Sequence, residues 1–138
     1  MDMTILLLLA AMGVLIIPLL DDDSDSDSND DEIRGTLEDD QPLNGTEGAD
    51  TIFGFAGDDI INAEGGDDTV RAGFGNDVVN GGDGRDFIFG FDGDDTLNGE
   101  NGADRIQGGE GADRIDGGRN ADDIDGGPGN DTLIGGAP

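Results

Sequence analysis

Apolar residues fall along this chain in two patterns. From Thr4 to Leu20 they form one uncharged run of 17 residues, TILLLLAAMGVLIIPLL. From Leu43 onward they return singly at every ninth position: Leu43, Ile52, Ile61, Val70, Val79, Ile88, Leu97, Ile106, Ile115, Ile124 and Leu133. Nine is neither the 3.6-residue period of a helix nor the strict alternation of a long strand. It is a repeat period, the mark of stacked units that bury their apolar residues only against one another.

The polar positions keep the same register. Asp stands two residues before each apolar position from Ile52 on: Asp50, Asp59, Asp68, Asp77, Asp86, Asp95, Asp104, Asp113, Asp122 and Asp131. Gly stands two residues before each Asp, at 48, 57, 66, 75, 84, 93, 102, 111 and 129, with Asn120 the one exception. Gly admits a positive φ and lets the backbone pass close to an ion. Asn is the side chain best able to hold the same left-handed conformation. Each nonapeptide therefore divides into six turn residues and a three-residue strand whose middle side chain points inward. Two nonapeptides make one 18-residue coil, so ten units predict five coils. The expected fold is all-β: a parallel β-roll, a β-helix-like solenoid, over residues 43–138, about 24 Å long at ~4.8 Å per strand step.

The earlier residues predict two further segments. Residues 1–20 read as an apolar helix, either a retained membrane anchor or a cleaved signal peptide, with a buried helix as a third reading. The run sits at the lower length limit for a bilayer span. No Lys or Arg precedes it, as a signal peptide would require. Residues 21–42 open with DDDSDSDSNDDE, eight acidic residues in twelve, and read as a disordered acidic linker.

Composition narrows the chemistry. There are 34 acidic against 6 basic residues, for a net charge of −28, and His and Cys are absent. Such charge opposes compaction unless counter-charge is supplied. It also excludes nucleic acid as a partner, because a phosphate backbone calls for a basic surface. Without His or Cys the usual general base, thiolate nucleophile and soft-metal ligands are missing. Carboxylate, carbonyl and hydroxyl oxygens remain, and these suit Ca²⁺ or Mg²⁺. One aliphatic side chain per nonapeptide is a thin core, so metal binding is expected to supply folding free energy.

The units Gly81–Phe89 (GGDGRDFIF), Gly108–Asp116 (GGEGADRID) and Gly126–Ile134 (GGPGNDTLI) carry a resemblance. The pattern resembles the RTX (repeats-in-toxin) family of calcium-binding nonapeptide repeats, over about residues 44–136. The resemblance implies Ca²⁺ between neighbouring coils, held by the ten repeat Asp carboxylates and by backbone carbonyls of the Gly-rich turns, among them Gly81, Gly108, Gly117 and Gly126. It also implies an extracellular setting. Asp50, Asp68, Asp86, Asp104 and Asp122 would line one edge and Asp59, Asp77, Asp95, Asp113 and Asp131 the other, giving at most eight inter-coil sites. Residues 45–138 hold 22 acidic side chains and five Arg, a net of −17 that eight Ca²⁺ would bring to about −1.

Departures from the pattern mark expected weak turns. Ala63 and Ala72 replace the first Gly of a unit, and Thr46, Phe55, Glu64, Phe91 and Glu100 replace the second. The residues from Gly135 on stop inside an eleventh unit, and no cap typical of the family is visible. Asp58, Asp67 and Asp94 read as surface charge rather than ligands. On the outer faces, Asn44, Asn62, Asn80 and Asn98 predict an amide ladder, and Arg71 is expected between Phe53 and Phe89 in a cation–π arrangement. The functional expectation is a non-enzymatic calcium-binding module, exported or displayed at the cell surface, with residues 4–20 as a possible membrane contact. The alternative is a structural or adhesive protein that self-associates or binds surface glycans.

Overall fold

The computed structural model describes residues 30–40 and 42–136; the apolar run and the acidic stretch through Asn29 lie outside the described residues. Twelve strands follow one another: β1 (Glu32–Arg34), β2 (Leu43–Asn44), β3 (Thr51–Ala56), β4 (Ile60–Asn62), β5 (Thr69–Phe74), β6 (Val78–Asp83), β7 (Phe87–Asp92), β8 (Thr96–Asn101), β9 (Arg105–Glu110), β10 (Arg114–Asp116), β11 (Asp123–Asp125) and β12 (Thr132–Ile134). Odd-numbered strands form one six-stranded sheet and even-numbered strands the other, each in chain order. Every pairing is parallel, and Ile52 lies against Val70, Val70 against Ile88 and Ile88 against Ile106. The chain thus advances one strand in each sheet per 18 residues, as the doubled nonapeptide requires. No helix occurs among the described residues, and none there is long and apolar enough to cross a membrane.

The core is a single file of side chains between the sheets. Leu43, Ile52, Ile61, Val70, Val79, Ile88, Leu97, Ile106 and Ile115 are fully buried, joined by Ala63 and Ala72. Burial fades at the last coil, where Ile124 is only partly covered and Leu133 is 50% exposed.

Three expectations need correction. There are six coils rather than five, because β1 pairs with β3 inside the stretch assigned to the linker. Its register runs Ile33 to Ile52, 19 residues instead of 18. The extra residue lies between Asp40 and Leu43, three positions apart where every later Asp and apolar residue are two apart. That insertion hides the first coil from a nine-residue search, and the roll begins before the expected boundary at Leu43. Second, six of the strands are six residues long, not three. The first turn residues also stack in register, Phe55 on Gly73 and Gly73 on Phe91, so their backbones continue the ladder. Third, Arg71 is paired between Phe53 and Phe89 as expected, and its guanidinium sits over Phe89 (6.0 Å), but it lies closer to Phe91 (4.9 Å) on the same neighbouring strand. Arg34 of the unexpected first coil covers Phe53 at 5.5 Å.

The amide ladder forms as expected. Asn62, Asn80 and Asn98 each donate from Nδ2 to the Oδ1 of the Asn one coil earlier, at 2.9–3.0 Å.

Candidate metal centre

Each repeat Asp ends a tight turn and faces inward at the corner of a coil. Its placement follows from the parallel stacking: the amide of each Asp donates to Oδ1 of the Asp one coil further on. The bonds run from Asp50 to Asp68 (2.7 Å), Asp68 to Asp86 (3.0 Å), Asp86 to Asp104 (3.0 Å) and Asp104 to Asp122 (3.1 Å) along one edge. Along the other they run from Asp59 to Asp77, Asp77 to Asp95, Asp95 to Asp113 (each 2.9 Å) and Asp113 to Asp131 (3.1 Å). The two expected rows of five Asp are therefore present, and one coil earlier Asp40 adds its amide to Asp59 Oδ1 at 2.8 Å. Sequence reasoning missed Asp40 because the inserted residue moves it out of phase; the triplet Asp31-Glu32-Ile33, an Asp two before an apolar residue, is the signal that could have found it.

The ladder satisfies one oxygen per carboxylate. The other, Oδ2 of Asp59, Asp68, Asp77, Asp86, Asp95, Asp104, Asp113 and Asp122, is buried without a hydrogen-bond partner. Eight such atoms in one small domain is far more than native proteins leave bare, and each calls for an explanation. Burial raises the carboxyl pKa in the middle of the ladder, to about 7 for Asp86 and Asp95 and about 6 for Asp59 and Asp68. Desolvation is the largest cause; the donated amide opposes it, and neighbouring ladder carboxylates add to it. A group placed here must be positive, small, and content with oxygen.

The glycines show where it would sit. A Cβ built on Gly35, Gly45, Gly54, Gly81, Gly90, Gly99 or Gly108 would lie under 3 Å from two oxygens at once. One is Oδ2 of the Asp five residues on; the other is a carbonyl of the next coil, such as Gly99 for Gly81, Gly108 for Gly90, Gly117 for Gly99 and Gly126 for Gly108. Carboxylate and carbonyl oxygens thus converge from adjacent coils on space that only a hydrogen leaves open. At Gly117 and Gly126 a built Cβ meets the Asp122 and Asp131 carboxylates but no carbonyl of a further coil. Ala63 and Ala72 place real methyl groups at this position and are buried. Among the described residues no three acidic side chains gather around one point, so any cation must take carbonyls as well as carboxylates. Dry, oxygen-only, multidentate sites suit Ca²⁺, whereas Mg²⁺ keeps several waters and demands octahedral geometry. The residues present fit calcium.

Two expected ligands stand apart. Asp50 Oδ2 accepts the Thr46 amide at 2.6 Å and its hydroxyl at 3.1 Å, so it is not bare. Asp131 lies in the last coil, where it is only partly buried. Asp58, Asp67 and Asp94 lie outside this space. Each accepts an amide from the next coil, of Asn76 (2.8 Å), Arg85 (3.0 Å) and Ala112 (2.7 Å), so they act as exposed braces between coils.

A parallel β-solenoid whose coil corners present rows of buried oxygen atoms defines the class: a cation-binding repeat roll. The model of the RTX calcium-binding nonapeptide repeat (4 copies) matches residues 40–70, 71–106 and 98–133, and the chain belongs to that family. Comparison with curated proteins gave no match, and neither did comparison with solved structures.

Proposed function

We propose that this chain is a calcium-dependent folding module in which ions between coils complete the structure. The observation that carries the reading is the two rows of four buried, unpartnered Oδ2 atoms, one along each edge. Each would otherwise carry the cost of a desolvated charge with no counterpart. Calcium supplies charge and ligation there, while the chain's own residues hold the oxygens apart at the coil spacing. The repeat Asp residues from Asp59 on and the turn carbonyls of Gly81, Gly108, Gly117 and Gly126 are the proposed ligand set, for up to about eight ions. The turns at Ala63 and Ala72 are the weak ones. Affinity in the range of about 10⁻⁴–10⁻³ M fits a module exposed to extracellular calcium. We place it outside the cytoplasm, exported or displayed, with residues 4–20 as its membrane contact and no catalytic activity of its own. Calorimetric calcium stoichiometry on the full chain tests the reading. Six to eight ions per chain supports it; none, or a single ion, contradicts it.

A second reading has its own observation. Phe53, Phe55, Phe74 and Phe91 line an open groove of about 470 Å³ with Arg71 at its wall, on the outer face of the odd-numbered sheet. In an adhesive or self-assembling protein this face would hold a partner, either a second copy or a glycan. Sedimentation with and without calcium separates the two readings: a monomer at every calcium level removes self-assembly.

A further inference from the structure

The two turns of the first coil differ from the nine that follow them. In nine later turns the residue three places after the inward apolar residue lies at positive φ, between 71° and 129°: Phe55, Glu64, Gly73, Gly82, Phe91, Glu100, Gly109, Gly118 and Gly127. In the first coil that position holds Thr36 and Thr46, and neither takes a positive φ. A β-branched residue resists that region strongly, whereas Phe and Glu enter it at moderate cost. The turns accordingly close in another way.

Both do so with the same set of bonds. The Thr amide donates to Oδ2 of the Asp four residues on, at 2.6 Å in each turn. The Thr hydroxyl donates to that same carboxylate, at 3.2 Å in Asp40 and 3.1 Å in Asp50. The amide two residues after each Thr donates to the Thr hydroxyl oxygen at 3.2 Å. The bare Oδ2 atoms begin only at Asp59, one unit after the last Thr.

From this coincidence of turn conformation and oxygen satisfaction we infer that Thr36 and Thr46 exempt the first coil from calcium, making it a cap closed by protein groups alone on which the cation-filled coils stack. The inference rests on the calcium reading above and refines it. The residue at this position decides whether a turn is a cation site: Gly, Phe or Glu leaves the carboxylate oxygen free, and Thr covers it. Asp40 and Asp50 are then structural acceptors, although both lie in the Asp rows, both are buried, and their Oδ2 atoms converge with a carbonyl of the next coil beside Gly35 and Gly45 as in later turns; there the Thr amide already occupies the oxygen.

The test is calcium stoichiometry of the full chain by calorimetry, with folding followed by circular dichroism. Thr46→Gly restores a residue that can take positive φ and frees Asp50 Oδ2, so it is expected to bind one more calcium ion than the wild type. Glu100→Thr imposes the Thr closure on an open turn beside Gly99, where the oxygens converge fully, so it is expected to bind one fewer while still giving a sheet spectrum in calcium. Unchanged ion counts in both variants, against a wild type that does bind calcium, would overturn the inference and leave the calcium reading standing. A wild type that binds no calcium would remove that reading itself. If Thr46→Gly does not fold, Glu100→Thr decides the matter alone, one ion lost supporting the rule and none lost overturning it.

Discussion

At the scale of single residues, the ladder Asp is held by two opposed demands. Its Oδ1 takes an amide from the coil before, which favours the charged form, while burial of the whole group disfavours it more. With the folded-state pKa raised to about 7 at Asp86 and Asp95, the metal-free roll binds more protons than the unfolded chain. Its stability is therefore fully present below the ordinary carboxyl range near pH 4 and is lost as pH rises through 6 to 7. Acidifying the calcium-free protein from pH 8 toward 4 is expected to increase sheet content, which circular dichroism reads directly; a flat or falling signal would contradict it. The same protons compete with calcium, so the calcium midpoint is expected to rise as pH falls below 7. Asp95→Asn removes a proposed charged ligand from the centre of its row. It is expected to raise the calcium midpoint by about tenfold, the size of one charge-assisted contact.

Among elements, the nine-residue register was enough to place every strand from β2 to β12, because each carries its one inward apolar residue. It was not enough for β1. A single inserted residue before Leu43 shifts Asp31, Ile33 and Asp40 by one place, and the surrounding acidic composition resembles a linker. Strand length was also under-read, since Phe and Gly at alternate coils look like turn residues until their backbones are seen to pair. The candidate site was legible in its Asp rows and in Asn120, which takes the left-handed φ of 76° that its place in the pattern requires. What the spacing could not convey is which carboxylate oxygen is left bare, since the different turn closure at Thr36 and Thr46 shows only in the folded chain. Two expectations follow at this scale. Ala72→Gly removes a methyl from the space where oxygens converge in other turns and should lower the calcium midpoint measured by circular dichroism. Ile88→Ala, at the centre of the file, should destabilise the calcium-loaded roll by about 2–5 kcal/mol in denaturant unfolding, whereas Leu133→Ala, half exposed in the last coil, should cost well under that.

Across the whole molecule, the chain carries a net charge of −28, and its roll has one apolar side chain per half-coil. Neighbouring coils stack through parallel strands, the Asn ladder, the outer Asp braces and the inner Asp ladder, so stability passes from coil to coil as in other solenoids. The inner ladder is the link that repels itself when empty of cations. On the proposed reading, filling it with calcium would turn the repulsion of adjacent carboxylates into shared ligation and carry the fold along its axis. The chain's six Phe also cluster along odd-numbered strands, all six within β3, β5 and β7, which gives one face a character unlike the acidic remainder. Calcium as a condition of the fold is the central claim, and far-UV circular dichroism of the full chain across a calcium titration tests it most directly. The expected result is a largely unordered spectrum in chelator that converts cooperatively to parallel sheet at about 10⁻⁴–10⁻³ M calcium. A spectrum unchanged up to ~10 mM calcium, or one already fully sheet-like in chelator at pH 7.5, would contradict it.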